Sequence, residues 1–356
     1  MLKRYCIILI VFLATQGCQS SKTKVQSVPQ NNHNPMSPAV YQSRLKTGID
    51  VDWVKTNSGR IAIQKSHDDG INVPAIFKER GFGHVRIRLS ENILDNSTDI
   101  TGKTLMQELI DVVDDCVEAG LMPIIAYQAK DFKLNPTDDN TLSDVIEWWA
   151  TVAEHFKGYP YIVAYDLIIE TTEEIKNHND RLNLLYQEAT QRIHQIDAER
   201  IVIVAPNNIS SAYKLKDLVV PQPYDYMMVE WHFYAAGPSR TNPKKLWTTG
   251  TEAEKEIISN IITTAKKWSD DNAIPVWVGA WRANRYTKNS TETLYDGAPG
   301  GGEYNVAEQV EIADYISKAL QSQNIPYAVN SDTKFFNRDT NEWYASMSSV
   351  LDAMLQ

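Results

Sequence analysis

Tyr226-Met-Met-Val-Glu-Trp-His-Phe-Tyr234 is an apolar, β-prone run in which Glu230, His232 and Tyr234 occupy alternate positions. In a strand, alternate side chains share one face, so three polar groups are delivered to one side of the strand end. Two other runs behave in the same way. Val163-Ala-Tyr-Asp-Leu-Ile-Ile-Glu170 ends on a carboxylate, and Pro275-Val-Trp-Val-Gly-Ala-Trp281 ends on an aromatic ring followed by Arg282. A carboxylate that closes an apolar strand is costly unless it is paired or used, which marks Glu170 as a candidate.

Outward from this stretch, strand-like and helix-like runs alternate. Strands are expected at 46–53, 84–89, 122–128, 163–170, 200–205, 226–234, 275–281 and 325–331, with helical patterns near 73–80, 104–119, 142–156, 180–196, 210–217, 251–269, 306–322 and up to about 355. Continuous apolar strands separated by helices imply a parallel sheet covered by helices, and eight such units imply a single (β/α)8 TIM barrel over residues 45–356. The functional side chains then belong at the C-terminal ends of the strands. The connections near 235–250 and 282–305 are long for such a barrel and are expected to wall a cleft.

The first residues read as an export signal: Lys3 and Arg4, an apolar run from Tyr5 to Ala14, and then Leu13-Ala-Thr-Gln-Gly-Cys18, which resembles a bacterial lipobox. Residues 1–17 are expected to be removed and Cys18 to carry the lipid, with a plain secretory signal as the alternative. Gln19 in place of aspartate points to the outer membrane, facing the periplasm or the cell surface. Residues 18–44, rich in Ser, Gln, Asn and Pro, are expected to be a flexible tether.

With 45 acidic residues against 35 basic ones the chain carries a net charge of −10, which makes nucleic acid a poor partner. A monomer is expected. His67, His155 and His178 show no metal-ligand spacing, and Gly300-Gly-Gly302 lacks the Gly-Lys-Ser/Thr of a phosphate loop, so neither a metal nor another cofactor is expected.

Several segments resemble family 5 glycoside hydrolases, the cellulase and β-mannanase family. They are Phe77-Lys-Glu-Arg-Gly-Phe-Gly-His-Val-Arg-Ile-Arg88 leading into strand two, Val112-Val-Asp-Asp-Cys-Val-Glu-Ala-Gly-Leu121 before strand three, Trp149-Ala-Thr-Val-Ala-Glu-His-Phe-Lys-Gly-Tyr-Pro160 before strand four, and His232-Phe-Tyr234 on strand six. The resemblance implies that Glu170 matches the family's acid/base, Arg86 its supporting arginine, and His232 with Tyr234 its strand-six pair. It also exposes departures. The nucleophile position is Ala280, the asparagine before the acid/base is Ile169, Gln128 stands near an expected histidine, and strand eight ends in Asn330-Ser331 instead of tryptophan.

Retaining hydrolysis needs two carboxyl groups about 5 to 5.5 Å apart, one to protonate the leaving oxygen and one to attack. Alanine cannot attack, so either another group replaces the nucleophile or hydrolysis is lost. Replacement candidates are Glu230, Asp332, Asp50 and Asp52. The alternative for Glu230 is a structural place one layer down in the barrel, bonded to Arg86 or His232, and for Asp332 a simple ion pair with Lys334. Candidate catalytic residues are therefore Glu170, Glu230, His232 and Tyr234, and candidate substrate-binding residues are Arg86, Gln128, Trp281, Arg282 and Asp332. Trp281, with a loop aromatic such as Trp247 or Tyr286, is expected to stack on sugar rings. The expected function is cleavage of a polysaccharide or oligosaccharide by an altered mechanism. A silent carbohydrate-binding barrel and a polysaccharide lyase are the alternatives.

Overall fold

The structure is a computed structural model and describes residues 34–90, 93–223, 225–233, 247, 249–283, 293–300 and 304–356. Cys18, Tyr234 and Tyr286 lie outside the described residues. The chain runs α1 (Pro38–Leu45), β1 (Thr47–Val51), α2 (Asn57–Asp68), α3 (Val73–Arg80), β2 (His84–Leu89), α4 (Leu105–Ala119), β3 (Met122–Tyr127), α5 (Lys130–Leu134), α6 (Asp139–Phe156) and β4 (Ala164–Asp166). It continues through α7 (Asn179–Ile196), β5 (Val202–Val204), the one-turn α8 (Asn207–Ser210), β6 (Met227–His232), α9 (Glu252–Asn272), β7 (Val276–Trp281), α10 (Val306–Ser322), β8 (Tyr327–Val329), the ribbon β9 (Phe336–Asn337) and β10 (Glu342–Trp343), and α11 (Ser348–Leu355). Strands β1 to β8 pair in parallel in chain order and β1 closes on β8, which is the expected (β/α)8 barrel.

Local chemistry sets the helix starts. Thr104 with Gln107, Thr251 with Glu254 and Asn305 with Glu308 form reciprocal capping boxes that begin α4, α9 and α10. Helix α2 had no counterpart among the expected elements. Its buried face includes Arg60, Gln64 and Ser66, so apolar periodicity is weak there, and the Arg60 guanidinium is instead forked onto Glu108 of α4 at 2.6 and 3.0 Å.

Helix α1 lies within the stretch expected to be tether. Tyr41 and Leu45 are fully buried, the Tyr41 hydroxyl donates to the Ile162 carbonyl at 3.0 Å, and Gln42 Nε2 donates to the Val276 carbonyl at 2.7 Å. Ile162 and Val276 stand at the N-terminal ends of β4 and β7, so α1 covers the floor of the barrel. Two long-range side-chain bonds and two buried apolar residues order a segment whose composition reads as linker.

The lumen is polar and layered. At the bottom, His84 donates from Nδ1 to the Leu45 carbonyl and accepts at Nε2 from the Trp277 indole at 3.1 Å. Burial depresses its pKa to about 4, so the ring stays neutral. A Cβ on Gly48 would lie 2.2 Å from that ring, which requires glycine there. In the layer above, a Cβ on Gly279 would come within 1.9 Å of Glu230 and 2.9 Å of Arg86. That glycine leaves the room in which the central charges meet.

Candidate active site

Arg86 on β2 is the hub. Its Nε and Nη2 form a bidentate pair with Asp50 of β1, both at 2.8 Å, while Nη1 donates to Glu230 of β6 at 2.8 Å and to Asp166 of β4 at 3.2 Å. All four side chains are buried. Three carboxylates around one guanidinium exceed its charge. Burial and the neighbouring Glu230 push Asp166 well above the carboxylate range, so Asp166 holds a proton.

His232, at the end of β6, links this layer to the cleft. Its Nε2 lies 3.3 Å from both Glu230 Oε2 and Arg86 Nη1, and its Nδ1 lies 3.0 Å from Glu170 Oε1. Both protons of Arg86 Nη1 go to the side-chain oxygens of Glu230 and Asp166, so Nε2 donates to Glu230 and Nδ1 to Glu170, and the ring is an imidazolium. Burial works against that charge, but the charge of Glu230 and the hydrogen bonds to both glutamates outweigh it and raise His232 to about 9. For Glu170 burial works upward; the hydrogen bond and charge of His232, backed by Arg86 and Lys133, prevail and hold its carboxyl at about 2. The Glu170 side chain is 31% exposed, so the ionised end of this chain of contacts faces the cleft.

Lys133 of α5 carries no signal in the sequence, because a single lysine in a five-residue helix has no pattern. It is 4% exposed, and its Nζ donates to Gln128 Oε1 at 3.1 Å, to the Ile169 carbonyl at 3.0 Å and to the Glu170 carbonyl at 3.2 Å. Glu170 has φ 52°, in the left-handed region where a branched or long side chain is strained. Lys133 thus anchors the unusual backbone that aims Glu170. Desolvation lowers its pKa to about 8.

The structure therefore brings together Arg86, Glu170, Glu230 and His232, with Gln128 at the edge through Lys133. Glu230 occupies the structural place, bonded to both Arg86 and His232 below the cleft. Two expected binding residues are elsewhere. Asp332 is buried and receives Trp53 Nε1 at 3.0 Å and Arg338 at 2.8 and 2.6 Å; its partner is Arg338 and not Lys334, and both oxygens are engaged in holding the β8–β9 connection to the end of β1. Trp281 is fully buried, edge-on to Tyr327 at 5.8 Å, and Tyr327 in turn bonds the Met354 carbonyl of α11.

The pairing of β7 with β8 shifts register between Val278 and Trp281. That irregularity reverses the alternation, so Trp277 and Gly279 face the lumen while Trp281 enters the helix layer. Trp247 is also buried, against Tyr315 at 5.5 Å. Neither tryptophan offers an open ring face. Arg282, next in the chain, is half-buried at the mouth.

The molecule is thus a parallel eight-stranded barrel in which His232 links the buried Glu230 to Glu170 at the C-terminal mouth. The sequence profile of the cellulase family, glycosyl hydrolase family 5, matches residues 47–328, and the chain belongs to that family. Endoglucanase H of Acetivibrio thermocellus is 21% identical over 282 residues, which cover 77% of this chain; the chain spans 29% of that protein's length. Among solved structures, a hyperthermophilic endo-beta-1,4-glucanase in complex with substrate superposes with a TM-score of 0.70 at 20% identity over 89% of this chain and all of its own. An endoglucanase from the hyperthermophilic Thermotoga maritima gives 0.67 at 17% identity over 90% of this chain and all of its own. At these identities the structural likeness is one of fold.

Proposed function

We propose that this family member binds a polysaccharide or oligosaccharide across the C-terminal mouth, over Glu170, and that it has lost the double displacement of retaining glycosidases. One observation carries the reading: among the described residues, the groups whose charge acts on Glu170 are His232, Arg86 and Lys133 and not a second carboxylate, while Asp52 at the mouth is paired with Arg88 and Lys55. The position that the resemblance assigns to the nucleophile is the buried Ala280, and Asp50, Asp166 and Glu230 are sealed beneath the cleft around Arg86. In a working pair the nucleophile's charge raises the acid/base by like-charge repulsion, so that it can hold a proton to give. Here the imidazolium of His232 does the opposite, and a carboxyl held at about 2 is ionised at neutral pH.

A second reading, turnover by an altered mechanism, is supported by the retention of Arg86, Glu230 and His232 beneath Glu170, an apparatus that binding alone does not require. The experiment is glycan binding by the wild type, followed by product analysis on the polymers that bind, for wild type, Glu170→Gln and Ala280→Glu. The binding reading expects no products from the wild type. It further expects activity to emerge in Ala280→Glu, because the new carboxylate supplies the nucleophile and raises Glu170. Wild-type products that disappear in Glu170→Gln would overturn it in favour of the altered mechanism.

A further inference from the structure

Around the mouth of the closed barrel, five consecutive strand ends or the connections that follow them each contribute basic side chains, beside the acids Asp50, Asp52 and Asp332. From β7 through β8, β1 and β2 to β3 the basic ones are Arg282, Lys334 in the turn Asp332–Lys334, Lys55, Arg88 and Lys133. The whole chain has a net charge of −10, so this arc runs against its average. Arg88 pairs with Asp50 at 3.3 Å and shares Asp52 with Lys55, at 2.9 and 3.6 Å, and Lys133 donates to neutral oxygens.

Lys334 stands out. It is half-buried and has no side-chain hydrogen bond or ion pair among the described residues. Arg282 follows β7 and Lys334 follows the adjacent β8, whose Asn330 N–H donates to the Trp281 carbonyl at 2.8 Å, and burial, then the charge of Arg282, lower the Lys334 pKa. A partly desolvated ammonium beside a guanidinium, without an acceptor, is costly until an anion arrives. Among the described residues the opposite rim does not supply one: the charge of Glu170 is met by His232, and Ala280, which pairs with His232 in the sheet and precedes Arg282 by two residues, contributes none.

Resting on the glycan-binding reading, we propose that the ligand is an acidic glycan, with a carboxylate or sulfate substituent seated at Lys334 beside Arg282. Such a group supplies the missing acceptor, and Ala280 removes the carboxylate that would repel it. Neutral sugars leave Lys334 unpaired. The alanine at position 280 thus becomes a specificity feature as well as a catalytic loss.

The test is affinity electrophoresis and calorimetry of the full chain against polygalacturonate, a sulfated galactan and hydroxyethyl cellulose, which separate the carboxylate, sulfate and neutral cases. An acidic polymer is expected to bind about tenfold or more tightly than the neutral one, and Lys334→Gln to erase about tenfold of that affinity. Lys65→Gln, on the exposed face of α2, controls for unspecific attraction to polyanions and should change nothing. Lys334→Gln should fold normally because the side chain makes no bond that is lost. Neutral polymer bound as tightly as the acidic ones, or Lys334→Gln behaving as Lys65→Gln does, overturns the acidic-ligand inference while leaving glycan binding standing. Failure of all three polymers to bind, in a folded protein, overturns both.

Discussion

The Glu170–His232 contact gives the protein a pH signature. Glu170 falls from an ordinary 4.5 to about 2, so its stabilising contribution is complete above 4.5 and is lost as the pH drops toward 2. His232 rises from 6.5 to about 9, so its contribution is complete below 6.5 and is lost as the pH climbs through 9. The pair is therefore worth most between pH 4.5 and 6.5. Urea midpoints of wild type and Glu170→Gln, measured across pH 2 to 10, should differ most in that window and converge on both sides. A difference that stays constant across the range would mean that the pair is not ionised as its geometry implies.

Two elements decide which side chains reach the cleft. Helix α5 presents Lys133 to three acceptors, so Lys133→Met, which keeps most of the volume, leaves buried oxygens without a donor. We expect a stability loss of about 1–3 kcal/mol in denaturant titration. Glycan affinity should fall with it, because the backbone of Glu170 loses its anchor; unchanged affinity would restrict Lys133 to a structural role. Strand β7 makes the opposite point. With Trp281 turned into the helix layer, Trp281→Ala should cost about 3–5 kcal/mol of stability, as a large buried ring does when deleted. The affinity of the folded fraction should remain as in wild type, and a specific loss of binding would return Trp281 to the cleft.

At the scale of the molecule, Arg86 joins β1, β2, β4 and β6 across the lumen. Replacing it by methionine removes the closest cation from both Asp50 and Glu230, leaving them only Arg88 and His232, each at 3.3 Å, at a cost of roughly 3–5 kcal/mol. Circular dichroism under denaturant should show a large drop or loss of the folded state; near-wild-type stability would mean that the lumen admits compensating solvent. The floor covered by α1 is where the chain from the N-terminal segment enters. From the lipobox-like Leu13 to Cys18 we propose a lipid anchor at Cys18 and an outer-membrane location, and mass spectrometry of the mature chain should find acylated Cys18 at its start. An unmodified terminus at another residue would refute the anchor.

Periodicity pointed to the barrel: alternating apolar runs and helical patterns imply a helix-covered parallel sheet, and the count of eight units favours a closed barrel over a doubly wound sheet. It also placed Glu170, Glu230 and His232 toward the ends of their runs, because a period of two and the polarity of a parallel sheet are local properties of each run, whereas Arg86 came from the family resemblance. Only the tertiary structure decided the rest. The register shift in β7 depends on its pairing with β8, and it sends Trp281 outward against the simple alternation. Asp332 binds Arg338 instead of Lys334 because the turn after β8 folds back on the end of β1, and Lys133 becomes part of the site through contacts with residues 36 and 37 positions away. The ordering of α1 rests on bonds to Ile162 and Val276, far along the chain. Strand and helix patterns are written over neighbouring residues, whereas charge pairing and burial are settled among residues that meet only once the barrel has closed.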